Sequence, residues 1–157
     1  MGNRLQLVVF DLDERRYALR LAAVRRVVRA AEVTPLPGAP AIVTGVVDLA
    51  GEVIPVVSLR RRLGLVDRET DPADHWIIAR TAVRAVGIEV DSVREVIEIA
   101  AEEVCPPENV LPGLDRLEGI VRLADGMILI HDLNTFLSLE EERALAASLA
   151  TPRQERA

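Results

Sequence analysis

The chain has 157 residues and a net charge of −6, from 19 basic and 25 acidic side chains, and it is 50% hydrophobic but only 3% aromatic. An acidic chain with so few rings argues against nucleic acid as a ligand, which asks for a basic face and stacking platforms. One cysteine, Cys105, excludes an intramolecular disulfide and suits a reducing compartment; no apolar run approaches the roughly 18 residues that span a bilayer.

The basic residues are all arginines, which fits genome base composition better than any chemistry. The opening MGNRLQLVVFDLD has too short an apolar stretch and too early an acid for a signal peptide, so a cytoplasmic protein is expected. Residues 5–11 are expected to form a strand, Asp13 to Arg16 a charged turn, and Tyr17 to Leu21 a second strand completing a hairpin. Over residues 23–30 the valines fit one helical face, yet β-branching favours a strand. A short helical turn leading into a strand reconciles the two.

Pro35, Pro37 and Pro40 rule out regular structure, so residues 34–40 are an extended connector, expected to enter a short helix at Ala41–Thr44 closed by Gly45. Residues 45–63 then read as strand, tight turn at Gly51, strand and helical start, with Ser58 as the helix cap. Residues 66–74 are polar and break the hydrophobic pattern.

Beyond that loop the pattern recurs. His75 to Arg80 parallels Gln6 to Asp11, Val86 to Val90 parallels Tyr17 to Leu21, and Val93 to Ile97 parallels Val24 to Val28. Residues 119–137 align with 45–63 without a gap, so that Gly45, Leu49, Ala50, Ile54, Leu59 and Leu63 meet Gly119, Leu123, Ala124, Ile128, Leu133 and Leu137. Pro106 and Pro107 stand where Pro35 and Pro37 stand, and a longer polar loop around 107–118 shifts the register. Ser138 to Glu141 forms a capping box that starts a helix over about 139–150, with Leu145 and Leu149 on one face; residues 151–157 are expected to fray.

The expected fold is mainly β: two small five-stranded closed barrels, short helices and a C-terminal helix. The halves run over about 15–70 and about 75–140, the N-terminal strand being available to complete the second. Each half is near the lower size limit for a stable core, so the two should pack together.

The run VTPLPGAPAIVTGVVDLAGEVIPVVSLRRRLGL and the segment VGIEVDSVREVIEI resemble the signature of the CheW-like chemotaxis coupling domain. The likeness covers nearly the whole chain in order, as one such domain over residues 1–157. It implies two intertwined SH3-like barrels and an adaptor without catalytic activity or cofactor. That adaptor joins the cytoplasmic tips of methyl-accepting chemoreceptors to the regulatory domain of a CheA-like histidine kinase. Such a protein is cytoplasmic, recruited to the membrane-associated array, and neither inserts into the membrane nor binds nucleic acid. Four positions depart from the family pattern: Ala50 replaces an arginine, Asp48 an asparagine, Arg26 a glutamate and Ser58 an aspartate. An acid and an arginine that could pair in a typical member are thus both absent. The departures suggest a divergent receptor–kinase set.

By the same resemblance, Val27, Val33, Leu36, Gly45, Val46, Val96 and Ile97 line a receptor groove, although each valine taken alone reads as core. Arg26, Ala50, Arg60, Arg61 and Arg62 are candidate kinase contacts. Glycines 45, 51 and 119 are read chiefly as serving backbone conformation. Asp11, Asp13 and Glu14 crowd like a metal loop but lack the Gly bend and downstream acid, and His75 and His131 have no neighbour at ligand spacing, so no metal is expected. His131 beside Asp132 could be imagined as an oriented base, but no nucleophile accompanies it. The competing functional readings are a scaffold for another receptor–kinase system in motility or development, a small nucleic-acid-binding β-barrel, and a hydrolase using His131.

Overall fold

The computed structural model describes residues 3–106 and 117–150. The expected fraying tail, Pro107 and most of the polar loop before Gly119 lie outside the described residues. Strand β1 (Arg4–Leu12) and β2 (Arg15–Arg20) form a hairpin, and a 3-10 turn at Leu21–Ala23 leads into β3 (Val24–Arg29). β4 (Val43–Leu49), β5 (Glu52–Ser58) and helix α1 (Leu59–Leu63) complete the first repeat. The second repeat holds β6 (His75–Arg80), β7 (Ala85–Val90), β8 (Ser92–Ala100), β9 (Val104–Cys105), β10 (Leu117–Leu123) and β11 (Gly126–His131), before helix α2 (Leu139–Ala150). None of these helices is long and apolar enough to cross a membrane.

The two sheets do not follow the boundaries expected from the sequence. One sheet runs β8-β1-β2-β11-β10-β9 and the other β3-β6-β7-β5-β4. Each repeat therefore lends its first hairpin to the other: β1–β2, not the N-terminal strand alone, completes the second barrel, and β6–β7 completes the first. The loans are secured by matching parallel pairings, Leu129 against Tyr17 in one sheet and Val57 against Ile88 in the other. Both sheets also close alike. The chain leaving β3 at one end returns to pair Thr34 with Val46 of β4 at the other, and the chain leaving β8 returns as β9 on β10. The sixth strand of the first sheet is thus this closing segment.

Alternation along the strands divides the core in three. Trp76 and Ile78 of β6 join Ile54 and Val56 inside one barrel, while Ile77 and Ala79 face the other way. Leu7, Val9, Ala18, Ile128 and Ile130 fill the second barrel. The outward set from both sheets, with Phe10, Tyr17, Leu19, Val57, Ile88, Phe136 and Leu145, forms a shared central cluster. Strands buried on both faces read as continuous apolar runs, which is why LVVF and WIIA show no clear alternation in sequence. Three of the four aromatic rings, Phe10, Tyr17 and Phe136, lie in this joint, where large side chains remove the most apolar surface from water. Helix α2 opens on the expected capping box, with Ser138 N–H donating to Glu141 and Glu141 N–H to the Ser138 hydroxyl, and it docks through Leu145 and Leu149.

Residues 41–44 are not a helix: Ala41 and Ile42 form a turn and β4 starts at Val43, so Gly45 lies within a strand. Gly45 is needed because the closing connector passes directly over it; a Cβ there would lie 2.5 Å from the carbonyl oxygen of Thr34. Gly119 meets the same constraint, with Val104 and Cys105 overhead. Val46 gives both its backbone N–H and its C=O to Thr34, so Pro55 opposite it is not asked for the donor it lacks. Gly45→Ala is expected to cost about 2–3 kcal/mol in chemical denaturation, since a backbone carbonyl must move. Gly119→Ala should cost a similar amount but recover part of it when combined with Val104→Ala, because there the nearest obstruction is a side chain.

Candidate functional site: the strand faces and the crossover

Beyond the barrel cores, the candidate residues separate by burial. Val27 on β3 is 38% exposed and Val96 on β8 is 54% exposed. Val27 lies opposite Ile77 and Val96 opposite Val8, and cross-strand partners share a face. Ile77 belongs to the central cluster and Val8 alternates with Phe10, which does too, so both exposed valines sit on faces that run out from the joint between the barrels. Val33, Leu36 and Ile97 are half-buried and pack against three different clusters. Gly45 and Val46 are not open to a partner: both are buried beneath the Val33–Thr34 connector that closes the barrel.

The arginine triplet is not a basic patch, because each guanidinium is engaged within the chain. Arg60 is buried, with its terminal nitrogen 2.7 Å from Asp13 and 2.9 Å from Asp91. Arg61 bonds Asp67 and the Ala41 carbonyl, and Arg62 bonds Glu141 of α2. Consecutive residues of a helix point about 100° apart, so a run of like charge in sequence need not be a surface of like charge. Arg26 is exposed and unpartnered among the described residues. Ala50 is exposed at the β4–β5 turn with φ of 53° beside Gly51 at 89°, the two positive values of a tight hairpin turn. Ser58 caps α1 by accepting from Arg61 N–H, and Asp132 at the equivalent place caps the turn after β11. Ser58 therefore does the capping work of an aspartate, and its side chain points at its own helix, not at the Ala50 turn.

The group that the sequence did not disclose is centred on Asp91, the single residue between β7 of one sheet and β8 of the other. Its carboxylate accepts from Arg60, from Arg68 at 2.8 Å and from the Asp13 N–H at 2.9 Å. Arg68 in turn bonds buried Asp74 at 2.8 Å. Burial alone would raise the Asp91 carboxyl, but the Asp13 N–H and the two guanidinium groups outweigh it, and the net shift is downward. Arg68 is raised, chiefly by its hydrogen bond to Asp74. Glu141 is lowered as well: burial opposes, and Arg62 with the Ser138 N–H prevails. No sequence period marks these residues; their partners lie up to 78 positions apart.

His131 is buried, edge-on to Phe136 at a centroid distance of 4.7 Å, and the Asp132 carboxylate accepts from Asn134 N–H. The imagined base is thus a ring in the central joint, and its supposed orienting acid is a turn cap. The crowded acids of the first hairpin also have structural employment: Asp13 bonds Arg60 and Asp11 bonds Arg94 at 2.7 Å.

Two barrels joined through an apolar seam, with exposed valines beside it, define a double-barrel β module of the interaction type. Residues 6–141 match the family model described as the CheW-like domain, and the chain belongs to that family. It is 30% identical over 150 residues to the chemotaxis protein CheW of Treponema pallidum, covering 92% of this chain and 88% of the relative. It is 32% identical over 142 residues to CheW of Bacillus subtilis, covering 88% and 90%. The crystal structure of the scaffolding protein TtCheW from Thermoanaerobacter tengcongensis superposes with a TM-score of 0.80 at 31% identity, over 90% of this chain and 92% of that one. The two closed sheets are the SH3-like barrels of that fold.

Two outcomes follow from this geometry. Asp91→Asn should lower stability at neutral pH by about 3 kcal/mol, because it takes one of two counter-charges from buried Arg60 and one of two from Arg68. Asp91 is depressed when folded, so its contribution is complete above the ordinary value of 3.8 and is lost as pH falls through the folded value. Acid unfolding followed by circular dichroism should accordingly show a shallower pH dependence below about pH 4 in the variant. Ala50→Gly should stabilise by about 0.5–1 kcal/mol in denaturant titration, by relieving a left-handed residue that has a Cβ.

Proposed function

We propose that this chain is a non-catalytic adaptor that couples chemoreceptors to a CheA-type histidine kinase in a chemosensory array. The observation that carries the reading is the pair Val27 and Val96. They occupy equivalent places in the two repeats, both are solvent-exposed, and both lie on faces extending from the seam between the barrels. An amphipathic helix from a receptor's cytoplasmic tip would bury its apolar stripe there. The names of the relatives support this role. The kinase regulatory domain would meet the surface that holds exposed Arg26 and the Ala50 turn, two of the positions where the chain departs from the family pattern. In this reading the protein works in the cytoplasm and joins the membrane-associated array through its partners.

The test is recovery of partners from the native cell by the tagged chain, with Val27→Asp and Val96→Asp as variants. The wild type should recover a kinase and chemoreceptors. Each variant should keep the kinase and lose receptor recovery at least about tenfold, as expected for a central interface residue, with circular dichroism checking that each remains folded. Receptor recovery that survives both variants would remove the valines from the site. A wild-type chain that recovers neither partner, or a kinase of another pathway, would instead overturn the coupling role or redirect it to a different receptor–kinase system.

A further inference from the structure

We infer that the cavity beside the β6–β7 turn binds a small neutral molecule made of an apolar ring and one carbonyl acceptor. The cavity encloses about 260 Å³, walled chiefly by Val57, Val86, Leu133, Phe136 and Leu137. The internal repeat explains why space is left there. Matching Gln6 with His75 and Gly45 with Gly119 sets Asp13 on Ala82, Tyr17 on Val86, His131 on Val57 and Arg60 on Asn134. At the equivalent place the larger set fills the gap: Arg60 lies 2.7 Å from Asp13, and the rings of Tyr17 and His131 are 6.5 Å apart. Beside the β6–β7 turn each of the four side chains is smaller, while the framework is kept. The N–H that Asp13 donates to Asp91 has its counterpart in Ala82 N–H, which donates to the Asn134 side-chain oxygen at 2.8 Å. The turn is held as its counterpart is, and the side chains that would occupy the gap have been cut back.

The walls set the chemistry of the ligand. An apolar cavity of about 150 Å³ admits benzene, so by proportion this one takes about ten non-hydrogen atoms. Val83 and Leu139 also line it and are 58% and 68% exposed, so its mouth opens to solvent between apolar edges. Two polar groups on the wall have a donor to spare. Asn134 spends its side-chain oxygen on Ala82, which leaves its amide N–H groups without a partner among the described residues. The Ser138 hydroxyl accepts from Glu141 N–H and keeps its own proton. The Thr81 hydroxyl is fully used, donating to the Arg84 carbonyl and accepting from the N–H groups of Val83 and Arg84. Glu142, the charged residue on the wall, is paired with Arg84 at 2.6 Å, so no cation is left over for an anionic ligand. Apolar walls with donors but no spare charge select a neutral acceptor, such as a ketone, on an apolar ring. The same donors disfavour a phenylalanine or leucine from a protein partner, because neither carries an acceptor on its side chain. The inference does not rest on the coupling role, since neither Val27 nor Val96 lines the cavity.

Methyl NMR of the purified full chain, titrated with acetophenone and with toluene, tests it. Both probes should shift the Val57, Val86, Leu133 and Leu137 methyl signals saturably at low millimolar concentration, acetophenone binding the tighter, and leave Val27 and Val96 unmoved. Asn134→Asp keeps the acceptor for Ala82 N–H and removes the amide donors. It should weaken acetophenone about fivefold or more and toluene less than about twofold, which a merely structural role for Asn134 would not separate. Ala82→Phe, a substitution at an exposed position on the wall, should block both probes. Circular dichroism checks that each variant is folded. If Asn134→Asp is not, the preference of the wild type for acetophenone over toluene carries the test. The absence of saturable shifts at these methyls overturns the inference and leaves the cavity to an apolar side chain of a partner. So do shifts that folded Ala82→Phe leaves unchanged, or an equal effect of folded Asn134→Asp on the two probes.

Discussion

The fold depends on how its chain changes sheets, and Asp91 is where the second change is held. A strand that ends in one barrel and resumes in the other after a single residue brings two sets of backbone together at a fixed angle. The carboxylate there gathers the first hairpin through the Asp13 N–H, helix α1 through Arg60 and the long loop through Arg68. Those three segments come from both sheets, so one side chain ties the loaned hairpin β1–β2 to the barrel it left behind. Isolated surface ion pairs contribute little, but a network around a buried guanidinium is different. Its value lies less in net stability than in penalising every arrangement that leaves Arg60 without its acids. The other change of sheet, at Leu21–Ala23, has alanine at the place equivalent to Asp91 and relies on packing instead, with Ala23 and Val24 against the central cluster.

Exchange of hairpins also explains the composition. A lone barrel of this size would need only one apolar face per strand. Here β1, β2, β5, β6, β7 and β11 each serve their own barrel and the shared seam, so half of the chain is hydrophobic although it has only two Phe, one Tyr and one Trp. The seam takes most of the aromatic area, because flat rings such as Phe10 and Tyr17, 6.0 Å apart, fill a gap between two curved sheets better than branched aliphatics do. Separation of the halves would expose this cluster whole, which makes the two repeats one cooperative domain in the energetic sense.

Much of this was legible in the sequence. Strand positions, the Asp13–Glu14 and Ala50–Gly51 turns, the Ser58 and Ser138 caps and the repeat itself all follow from local rules, because alternation, φ > 0 turns and capping are set by near neighbours. Hairpin exchange was not legible: β2 pairs as well with β11 as it would with its own repeat's strand, and identical repeats offer identical partners. The role of Gly45 was misplaced for a related reason. A glycine before a strand reads as a helix stop, and only the fold shows a carbonyl passing over it. Among the candidate site residues, Val27 and Val96 are exposed while Val46 is buried and Arg60, Arg61 and Arg62 are captured, a division that no local pattern in the sequence marks. A short apolar or basic run does not say which of its members the long-range partners will cover.

The repeat gives the deepest constraint on how such a protein can diverge. Positions that maintain the frame stay matched across the two halves: Gly45 with Gly119 under the connector, Ser58 with Asp132 as caps, Arg25 with Arg94 as bulges. Positions that only face solvent have been free to part, and they part in charge, not in size, as Arg26 and Arg29 against Glu95 and Glu98 show. A duplicated scaffold begins with two copies of the same surface, which repel one another where they are charged. Changing the sign on one copy costs the fold almost nothing, because neither side chain is buried. It alters only which surfaces attract which, and that makes the solvent-facing edges of two otherwise equivalent barrels the place where partner choice can change without disturbing the seam that holds them together.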